Sequence, residues 1–584
     1  MMPLDPSRPF VLLDDVQAGS ARLYRDPVEI VVAHADDDVA PALARLRSAM
    51  GRGLYAVGHV AYEAGHALEP RLRPLARPGS PLLWFGLFAA EEHLDATAID
   101  ALLGDPASAW AGTPHPLIDR SDYEAAVGRV LDYIRAGDIY QANLTFRAEV
   151  PVAGPLPALY ARLRRAGGGP WSALVHDGTN WLLSFSPELF FTLEQGRFTA
   201  RPMKGTAARD SDPEALRTDA KQRAENLMIV DLLRNDLARV ARAGSVAVPR
   251  LFEIETYPTL HQMTSTITAE LEPGKDAVDA LTALFPCGSV TGAPKIRAME
   301  IIAELEPDAR GCYTGSIGRI SPEGDAAFNV AIRTLMVGQE RGRALMGLGS
   351  GVVADSVAAA EWRECLEKGR FVTAAGARFD LIETMRFDAE EGLLELERHV
   401  ARLKSSADLF GFVCDRHALR NELQAATFRL RDSHCVRVRL SPRGAVAIEV
   451  RPLPSSPRMA EVALVRRPVS RDDFRLAHKT SDRGFYDRAR MASGCFEAIL
   501  VDDEGYVTEG SFTNVFLRRD DRLYTPPLAR GLLAGVLRQR LLEEGYAQEA
   551  EIRAEDLAGD FYIGNAVRGL IPARLVAMHK EAGL

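Results

Sequence analysis

The segment Arg201-Pro202-Met203-Lys204-Gly205-Thr206 sets one lysine in a short, turn-like stretch between a probable strand and a helix. A lysine so held can serve as a covalent amine nucleophile, a more demanding task than clamping an anion. Other segments carry complementary chemistry. Phe185-Ser186-Pro187-Glu188-Leu189-Phe190 offers the carboxyl of Glu188. The run Gly288-Ser289-Val290-Thr291-Gly292 reads as the opening of a helix, where free backbone N–H groups suit an anion; a plain loop is the alternative. Glu361, Glu364 and Lys368 recur at i, i+3 and i+7, on one helix face. With Glu225 from a second helix, Glu361 and Glu364 can hold a Mg²⁺ by oxygen ligands, the alternative being a solvated acidic face. Arg333 interrupts the apolar run Asn329-Val330-Ala331-Ile332-Arg333-Thr334-Leu335. A buried arginine needs an anionic partner, either a carboxylate of the protein or one of a substrate.

A second constellation lies near the other end of the chain. His478-Lys479-Thr480-Ser481-Asp482-Arg483 is followed by Thr508-Glu509-Gly510-Ser511-Phe512-Thr513-Asn514. Taken singly, Lys479 and Glu509 read as surface residues. Together they are the pair that pyridoxal phosphate (PLP) requires: a lysine for the Schiff base and a carboxylate for the pyridine nitrogen.

The elements that must position these residues follow from periodicity. Pro9–Leu13 and Pro81–Phe88 read as strands. A helix is expected from Ser121, as N-cap, to Arg135, stopping near Gly137. A long helix from Glu214 through Val240 is expected from Leu227, Met228, Val230, Leu233 and Leu237. Phe379–Phe387 restarts a strand pattern, His399–Phe410 is amphipathic, and Cys435–Leu440 alternates as a half-buried strand does. Thr373–Ala377 reads as a junction and Leu453–Pro457 as a second linker.

At 584 residues the chain is too long for one ordinary domain. A hydrophobic fraction of 47% with 26% charged residues is that of a globular protein. The net charge of −10 disfavours nucleic acid and anionic membranes as partners but leaves room for a basic pocket. No leader pattern and no bilayer-length apolar run is seen, and the six scattered cysteines read as free thiols; a cytoplasmic location is expected.

Taken together, the segments around Lys204 resemble the chorismate-binding enzymes, which include anthranilate synthase, isochorismate synthase and aminodeoxychorismate synthase component I. The resemblance covers roughly residues 115 to 370. Ala136-Gly137-Asp138-Ile139-Tyr140-Gln141-Ala142-Asn143-Leu144, Arg201–Thr206 and Ala61-Tyr62-Glu63-Ala64-Gly65 resemble the aminodeoxychorismate synthase branch. Anthranilate synthases usually carry alanine where Lys204 stands. The resemblance implies that Lys204 adds to C2 of chorismate while Glu188 protonates the departing C4 hydroxyl. Ammonia from a partner glutamine amidotransferase subunit then attacks C4 and expels the lysine. It further implies Mg²⁺ on Glu225, Glu361 and Glu364, facing the ring carboxylate. Arg333, Tyr313 and backbone N–H groups would take the enolpyruvyl carboxylate. Thr206, Gly288, Ser289, Thr291, Gly349 and Lys368 fall at substrate-lining positions. His261 matches a pocket histidine of that family, a satisfied core histidine being the alternative. Some relatives have an acidic residue where Gln222 stands, three positions before Glu225.

Residues from about 378 to 584 resemble fold-type IV PLP enzymes, among them branched-chain and D-amino-acid aminotransferases and 4-amino-4-deoxychorismate lyase. The resemblance implies Lys479 as the Schiff-base lysine, Glu509 at the pyridine nitrogen and Arg402 at the phosphate. Gly535-Val536-Leu537 and Asn565-Ala566 would contact that phosphate, and Arg568 a substrate carboxylate. Gly564–Leu570 looks most like the lyase. The implied fold is α+β: a chorismate-binding two-sheet sandwich over residues 1–375, then a PLP domain over 376–584. The PLP domain would divide into a small subdomain of about 376–456 and a large one of about 457–584. A homodimer through it is expected by analogy. The implied function is a bifunctional enzyme of 4-aminobenzoate formation, a step toward folate. Two alternatives are an anthranilate synthase-like enzyme joined to an aminotransferase, and a non-catalytic chorismate-binding regulatory subunit.

Overall fold

The apolar run at Pro81–Phe88 forms the strand Leu83–Phe88, and all six of its residues are buried. Burial on both faces requires a layer on either side, which a sandwich supplies. The computed structural model of the chain describes residues 4–5, 7–75, 77, 81–256, 260–339, 342–374 and 379–576. The chain divides into two compact units, one formed by residues 1–105, 113–152 and 160–375, the other by 106–112, 153–159 and 376–584.

The first unit holds two large sheets, and every pairing described in them is antiparallel. In the first sheet Gln141–Ala153 pairs with Arg343–Val352, followed by Thr334–Val337, Trp181–Ser186, Trp171–His176 and Phe10–Asp15. In the second, Met203–Ala208 lies at one end beside Leu260–Glu270, followed by Arg197–Arg201, Leu189–Glu194, Ala326–Asn329 and Ser316–Ile320. Val11, Ala173, Val175 and Leu182 of the first sheet share one apolar cluster with Val57, Trp84, Phe88 and Ile317 of the second. The helices Asp36–Gly51, Ala220–Ala238 and Ala277–Leu284 cover the other face of the second sheet, in a cluster with Leu46, Leu233, Leu281, Phe191 and Phe328. This is the α+β, two-sheet arrangement expected from the sequence.

In the second unit a four-stranded antiparallel sheet is built from Leu381–Asp388, Gly392–Leu393, His434–Leu440 and Val446–Pro452, with the helices Leu396–Phe410 and Arg416–Thr427. Val436, Val438 and Leu440 are buried, as strict alternation requires. Residues 453–457 have no regular structure, and an eight-stranded mixed sheet follows between Ala460 and Leu575. The segments 106–112 and 153–159 join this unit from far upstream; Trp110 meets Phe410 edge-on with ring centroids 4.8 Å apart.

Four local expectations need correcting. The helix of 214–240 is two helices, Pro213–Thr218 and Ala220–Ala238. Asp219 is extended between them (ψ 117°) and its carboxylate accepts from the Gln222 N–H at 2.8 Å, so it caps a new helix. The helix expected from Ser121 begins at Arg120, with Asp119 and not Ser121 at its cap position. Gly288–Val290 is a single 3₁₀ turn, Gly292–Ala293 pairs with Gln141–Ala142, and the helix starts only at Lys295, after Pro294. Lys204 lies not in a turn but in the strand Met203–Ala208. The junction at 373–377 falls mostly outside the described residues. All six cysteines are unpaired. Among the described residues no helix is long and apolar enough to cross a membrane.

Candidate active sites

The strand that carries Lys204 is irregular at that point. Met203 pairs with Thr264 and Thr206 with Gln262, so one extra residue is accommodated at Lys204-Gly205. Gly205 takes φ +96°, open to glycine and strained for other residues. Such a bulge re-aims a side chain and takes backbone groups out of the ladder. The carbonyls so released find side-chain donors: Asn226 Nδ2 on Lys204 O at 3.3 Å and Gln262 Nε2 on Gly205 O at 2.9 Å. Ser265 donates to Asn226 Oδ1 at 2.6 Å and fixes that amide.

The bulge turns the Lys204 amine into the interior, where it has no hydrogen-bond or ion-pair partner among the described residues. A Cβ on Gly351 would sit 3.2 Å from Lys204 Nζ and 3.0 Å from Gln141 Nε2, so that glycine keeps the space beside the amine open. Gln141 Nε2 is itself buried without a partner. Burial, then the nearby Lys368 charge, lowers the Lys204 pKa against the pull of Glu225, Glu188 and Glu364. Glu188 is buried, and burial raises its carboxyl pKa against the opposing effects of Ser289, Lys204 and Lys368. Ser289 donates to Glu188 Oε1 at 2.7 Å. The lysine is thus pushed toward its neutral form and the carboxyl toward its protonated one.

Arg333 lies between the strands Ala326–Asn329 and Thr334–Val337 at φ +50°, and its carbonyl accepts from the Phe185 N–H at 3.1 Å. Val330 N–H donates to Glu188 O at 3.0 Å, which ties this link to the Glu188 loop. No carboxylate among the described residues pairs with Arg333, and burial lowers its pKa. The anion the sequence called for is therefore not a protein group described here.

Other expected lining residues are occupied within the protein. Lys368 bridges Glu364 at 2.7 Å and donates to Gly349 O at 3.0 Å. Thr291 gives its hydroxyl to Cys287 O at 2.8 Å. His261, matched from sequence to a pocket histidine, has both ring nitrogens engaged, by Thr256 Oγ1 at 2.9 Å and Arg209 O at 3.1 Å; the core reading fits it better. Tyr313 is buried against Gly347, where a Cβ would come 2.0 Å from its ring, and Gly288 packs as closely on Leu232. Thr206 pairs with Gln262; its side chain lies outside the described residues.

Glu225 stands on the helix Ala220–Ala238, and Glu361 and Glu364 on Ala358–Gly369. Among the described residues no three His, Cys, Asp or Glu side chains form a metal-holding group, so the three glutamates are not a closed cage. Glu225 and Glu364 nevertheless share one field. Burial and then the nearby Asp355 and Glu364 raise Glu225 against Lys204 and Lys221, whereas Lys368 brings Glu364 down despite its burial. A pair of carboxylates fits Mg²⁺, which commonly takes one or two protein carboxylates and completes its shell with water and substrate oxygens.

Arg310 was not singled out from the sequence, yet it holds the turn over this site. It donates to Val290 O at 2.9 Å, to Asn143 O at 2.6 Å and to Glu306 Oε2 at 2.8 Å.

In the second unit the Lys479 carbonyl accepts from the Ile382 N–H at 2.8 Å, so the lysine is attached to the edge of the four-stranded sheet. Its amine is buried, which brings its pKa down to about 7. Glu383, also unassigned beforehand, receives Arg402 Nε at 2.8 Å, Arg402 Nη2 at 2.7 Å and His399 Nδ1 at 2.6 Å. Arg402 Nη1 reaches Ala534 O at 2.9 Å, beside Gly535. Gly535 precedes the helix Val536–Glu543, whose first turn, containing Val536 and Leu537, has no side-chain cap. Glu509 accepts from Tyr486 Oη at 2.5 Å and Leu533 N at 3.1 Å but meets no cation at ion-pair distance among the described residues, and burial raises it to about 7. Among the described residues, an amine without a partner, an uncapped helix N-terminus beside Arg402, and a buried carboxylate without a cation fit the aldehyde, phosphate and pyridine nitrogen of PLP. Asn565 Oδ1 accepts from Val567 N and Arg568 N at 3.0 Å each, shaping the turn that contains Ala566. Arg568 Nη1 donates to Pro454 O, Ser455 O and Ser456 Oγ of the linker; its guanidinium is thus already engaged in part.

Known proteins match both units. Residues 8–374 match the family described as chorismate binding enzyme, and residues 380–576 match amino-transferase class IV. Aminodeoxychorismate synthase component 1 of Salmonella typhimurium is 45% identical over 270 residues, covering 45% of this chain and 58% of the relative. That of Klebsiella aerogenes is 44% identical over 268 residues, again 45% of this chain and 58% of the relative. Anthranilate synthase component 1 of Pseudomonas aeruginosa is 38% identical over 325 residues, 54% of this chain and 62% of the relative. The chain therefore spans less than two thirds of the length of these relatives. The crystal structure of anthranilate synthase component I from Streptococcus pneumoniae superposes with a TM-score of 0.52 at 26% identity, covering 64% of this chain and 94% of that one. The chain belongs to the chorismate binding enzyme family and carries an amino-transferase class IV domain after it.

Proposed function

We propose that the chain is a bifunctional enzyme that makes 4-aminobenzoate from chorismate. The first site, within residues 1–375, exchanges the C4 hydroxyl of chorismate for an amine, taking ammonia from a glutamine amidotransferase partner and releasing water. The second, within 376–584, removes pyruvate from the 4-amino-4-deoxychorismate so formed. One observation carries the first half: a desolvated lysine amine, without a partner among the described residues, near a buried carboxyl whose pKa is displaced in the opposite sense.

Lys204, as free amine, attacks C2 while Glu188 gives its proton to the departing C4 oxygen. Ammonia then attacks C4 and the C2–N bond to Lys204 breaks, so two displacements replace one difficult exchange. Arg333 takes a substrate carboxylate. Mg²⁺ near Glu225 and Glu364 would neutralise the ring carboxylate. In the second site, bound PLP supplies an electron sink for the carbon that loses its proton. Lys479 would hold the cofactor aldehyde, and its amine is the group placed to move the C4 proton. Glu509 would hold the pyridine nitrogen in its charged form, and Arg402 with the first turn at Gly535 would hold the phosphate.

Incubation with chorismate, ammonia, Mg²⁺ and PLP is expected to yield 4-aminobenzoate and pyruvate in equal amounts; the absence of both overturns the reading. Lys204→Ala should abolish amination while leaving pyruvate release from supplied 4-amino-4-deoxychorismate intact. Lys479→Ala should do the reverse and accumulate that intermediate. The similarity to anthranilate synthases gives a second reading, in which the amine enters ortho to the carboxylate. Chromatographic identification of the aromatic product separates the two.

A further inference from the structure

The turn Gly288–Val290 would ordinarily be assigned to substrate contact, but its serine faces the acid instead. Ser289 Oγ lies 2.7 Å from Glu188 Oε1 and 3.2 Å from Cys287 Sγ, and all three groups are buried. The Glu188 backbone is pinned as well: its N–H reaches Ser186 Oγ at 3.2 Å and its carbonyl accepts from Val330 N at 3.0 Å. Oε2 has no partner among the described residues.

We propose that Ser289 is a positioning residue for Glu188: its hydroxyl, aligned by the Cys287 thiol, holds Oε1 as an acceptor and leaves Oε2 to carry and deliver the proton. A hydroxyl has one hydrogen, and an ionised carboxylate can only accept, so that hydrogen goes to Oε1 of the ionised acid and stays there when the acid takes its proton on Oε2. The sulfur then serves as donor to Ser289 Oγ. Burial pushes the Cys287 thiol up to about 12, which keeps its hydrogen in place. The charged groups acting on Glu188 are Lys204 from the edge strand and Lys368 from the helix Ala358–Gly369; Ser289 lowers the carboxyl pKa alongside them. The proton balance is simple: Oε2 loses its proton to the departing oxygen, the Ser289 hydrogen stays on Oγ, and the acid is recharged from water after product leaves.

This assignment rests on the proposed amination. Its test is the pH profile of kcat at saturating chorismate and fixed free ammonia, for Ser289→Ala, Ser289→Thr and Cys287→Ala. Removing the hydroxyl should lower kcat roughly tenfold and move the limb belonging to Glu188 up by about one pH unit. The lysine limb should stay in place and KM for chorismate within about twofold. Threonine should restore the limb, and Cys287→Ala should shift it a smaller distance the same way. Unmoved limbs, or a raised KM with unchanged kcat in Ser289→Ala, would mean a substrate contact and overturn the proposal. Infrared titration of the Glu188 carboxyl in unliganded enzyme, isolated as the difference from Glu188→Gln, should show the same upward shift in Ser289→Ala. That readout decides the inference even if wild-type enzyme aminates nothing, in which case only the proposed function falls. Should Ser289→Ala fail to fold, Cys287→Ala carries both measurements.

Discussion

Gly205→Ala tests whether the bulge, and not the lysine alone, makes the first site work. The native φ of +96° is unfavourable for alanine, at roughly 1–2 kcal/mol. The added Cβ would come 3.1 Å from Gln222 Oε1 and 3.2 Å from Met263 Cβ. Both are side-chain atoms, and the former can move aside, so the contacts add less than the backbone does. A loss of about 1–2 kcal/mol leaves a protein of ordinary stability folded. The cheapest relief is for the strand to shed the bulge, which breaks the Gln262 bond to Gly205 O and turns Lys204 away from Glu188. Misplacing a reacting group by about 1 Å can lower the rate ~10²-fold. Amination is measured with chorismate and ammonia, and pyruvate release separately with supplied 4-amino-4-deoxychorismate. Amination should fall about a hundredfold, pyruvate release should hold, and circular dichroism should show a folded protein. Full amination by Gly205→Ala, with Lys204→Ala inactive, would refute the bulge argument.

Asp219→Ala removes the cap that starts the helix Ala220–Ala238 and should lower stability by about 1 kcal/mol in denaturant titration, with amination weakened through Asn226 and Glu225. Arg333→Ala should raise KM for chorismate about 10- to 100-fold with a smaller change in kcat, as expected for a lost charge-assisted contact. Lys479, with its pKa displaced from 10.5 to about 7, is neutral in the folded protein above pH 7. Capture of PLP, followed by absorbance, should therefore rise about tenfold per pH unit below 7 and level off above it. Between 7 and 10.5 the cofactor-free folded protein holds one proton fewer at this site than the unfolded chain, so its stability should rise with pH across that window.

The sequence made residue chemistry legible where the signal was local. Cys435–Leu440 alternates with period two, and the structure buries Val436, Val438 and Leu440. Where two local signals competed, the reading failed. The apolar spacing through Leu227, Val230, Leu233 and Leu237 suggested one helix, yet Thr218-Asp219 held a stop and a cap, and Asp219 won. Gly288 read as a helix start because glycine-rich turns often precede helices, although Pro294 marked the true one. Residues that act through distant partners gave no sign. Asn226 holding Lys204 O, Arg310 holding Val290 O and Glu383 gripping Arg402 are contacts between segments 19 to 22 residues apart or from different elements. Only the folded backbone brings them together.

In the second unit, Lys479, Glu383 and Arg402 belong to the layer of the four-stranded sheet, while Glu509 and Gly535 belong to the eight-stranded one. A vitamin seated there would be a rivet through two plates, its aldehyde fastened to one and its ring nitrogen to the other. Without it the plates keep only their direct contacts, such as Arg402 on Ala534 O at 2.9 Å and Arg398 on Glu543 Oε2 at 2.6 Å, and protease should nick the strip 453–457 between them faster in cofactor-free protein than in loaded protein.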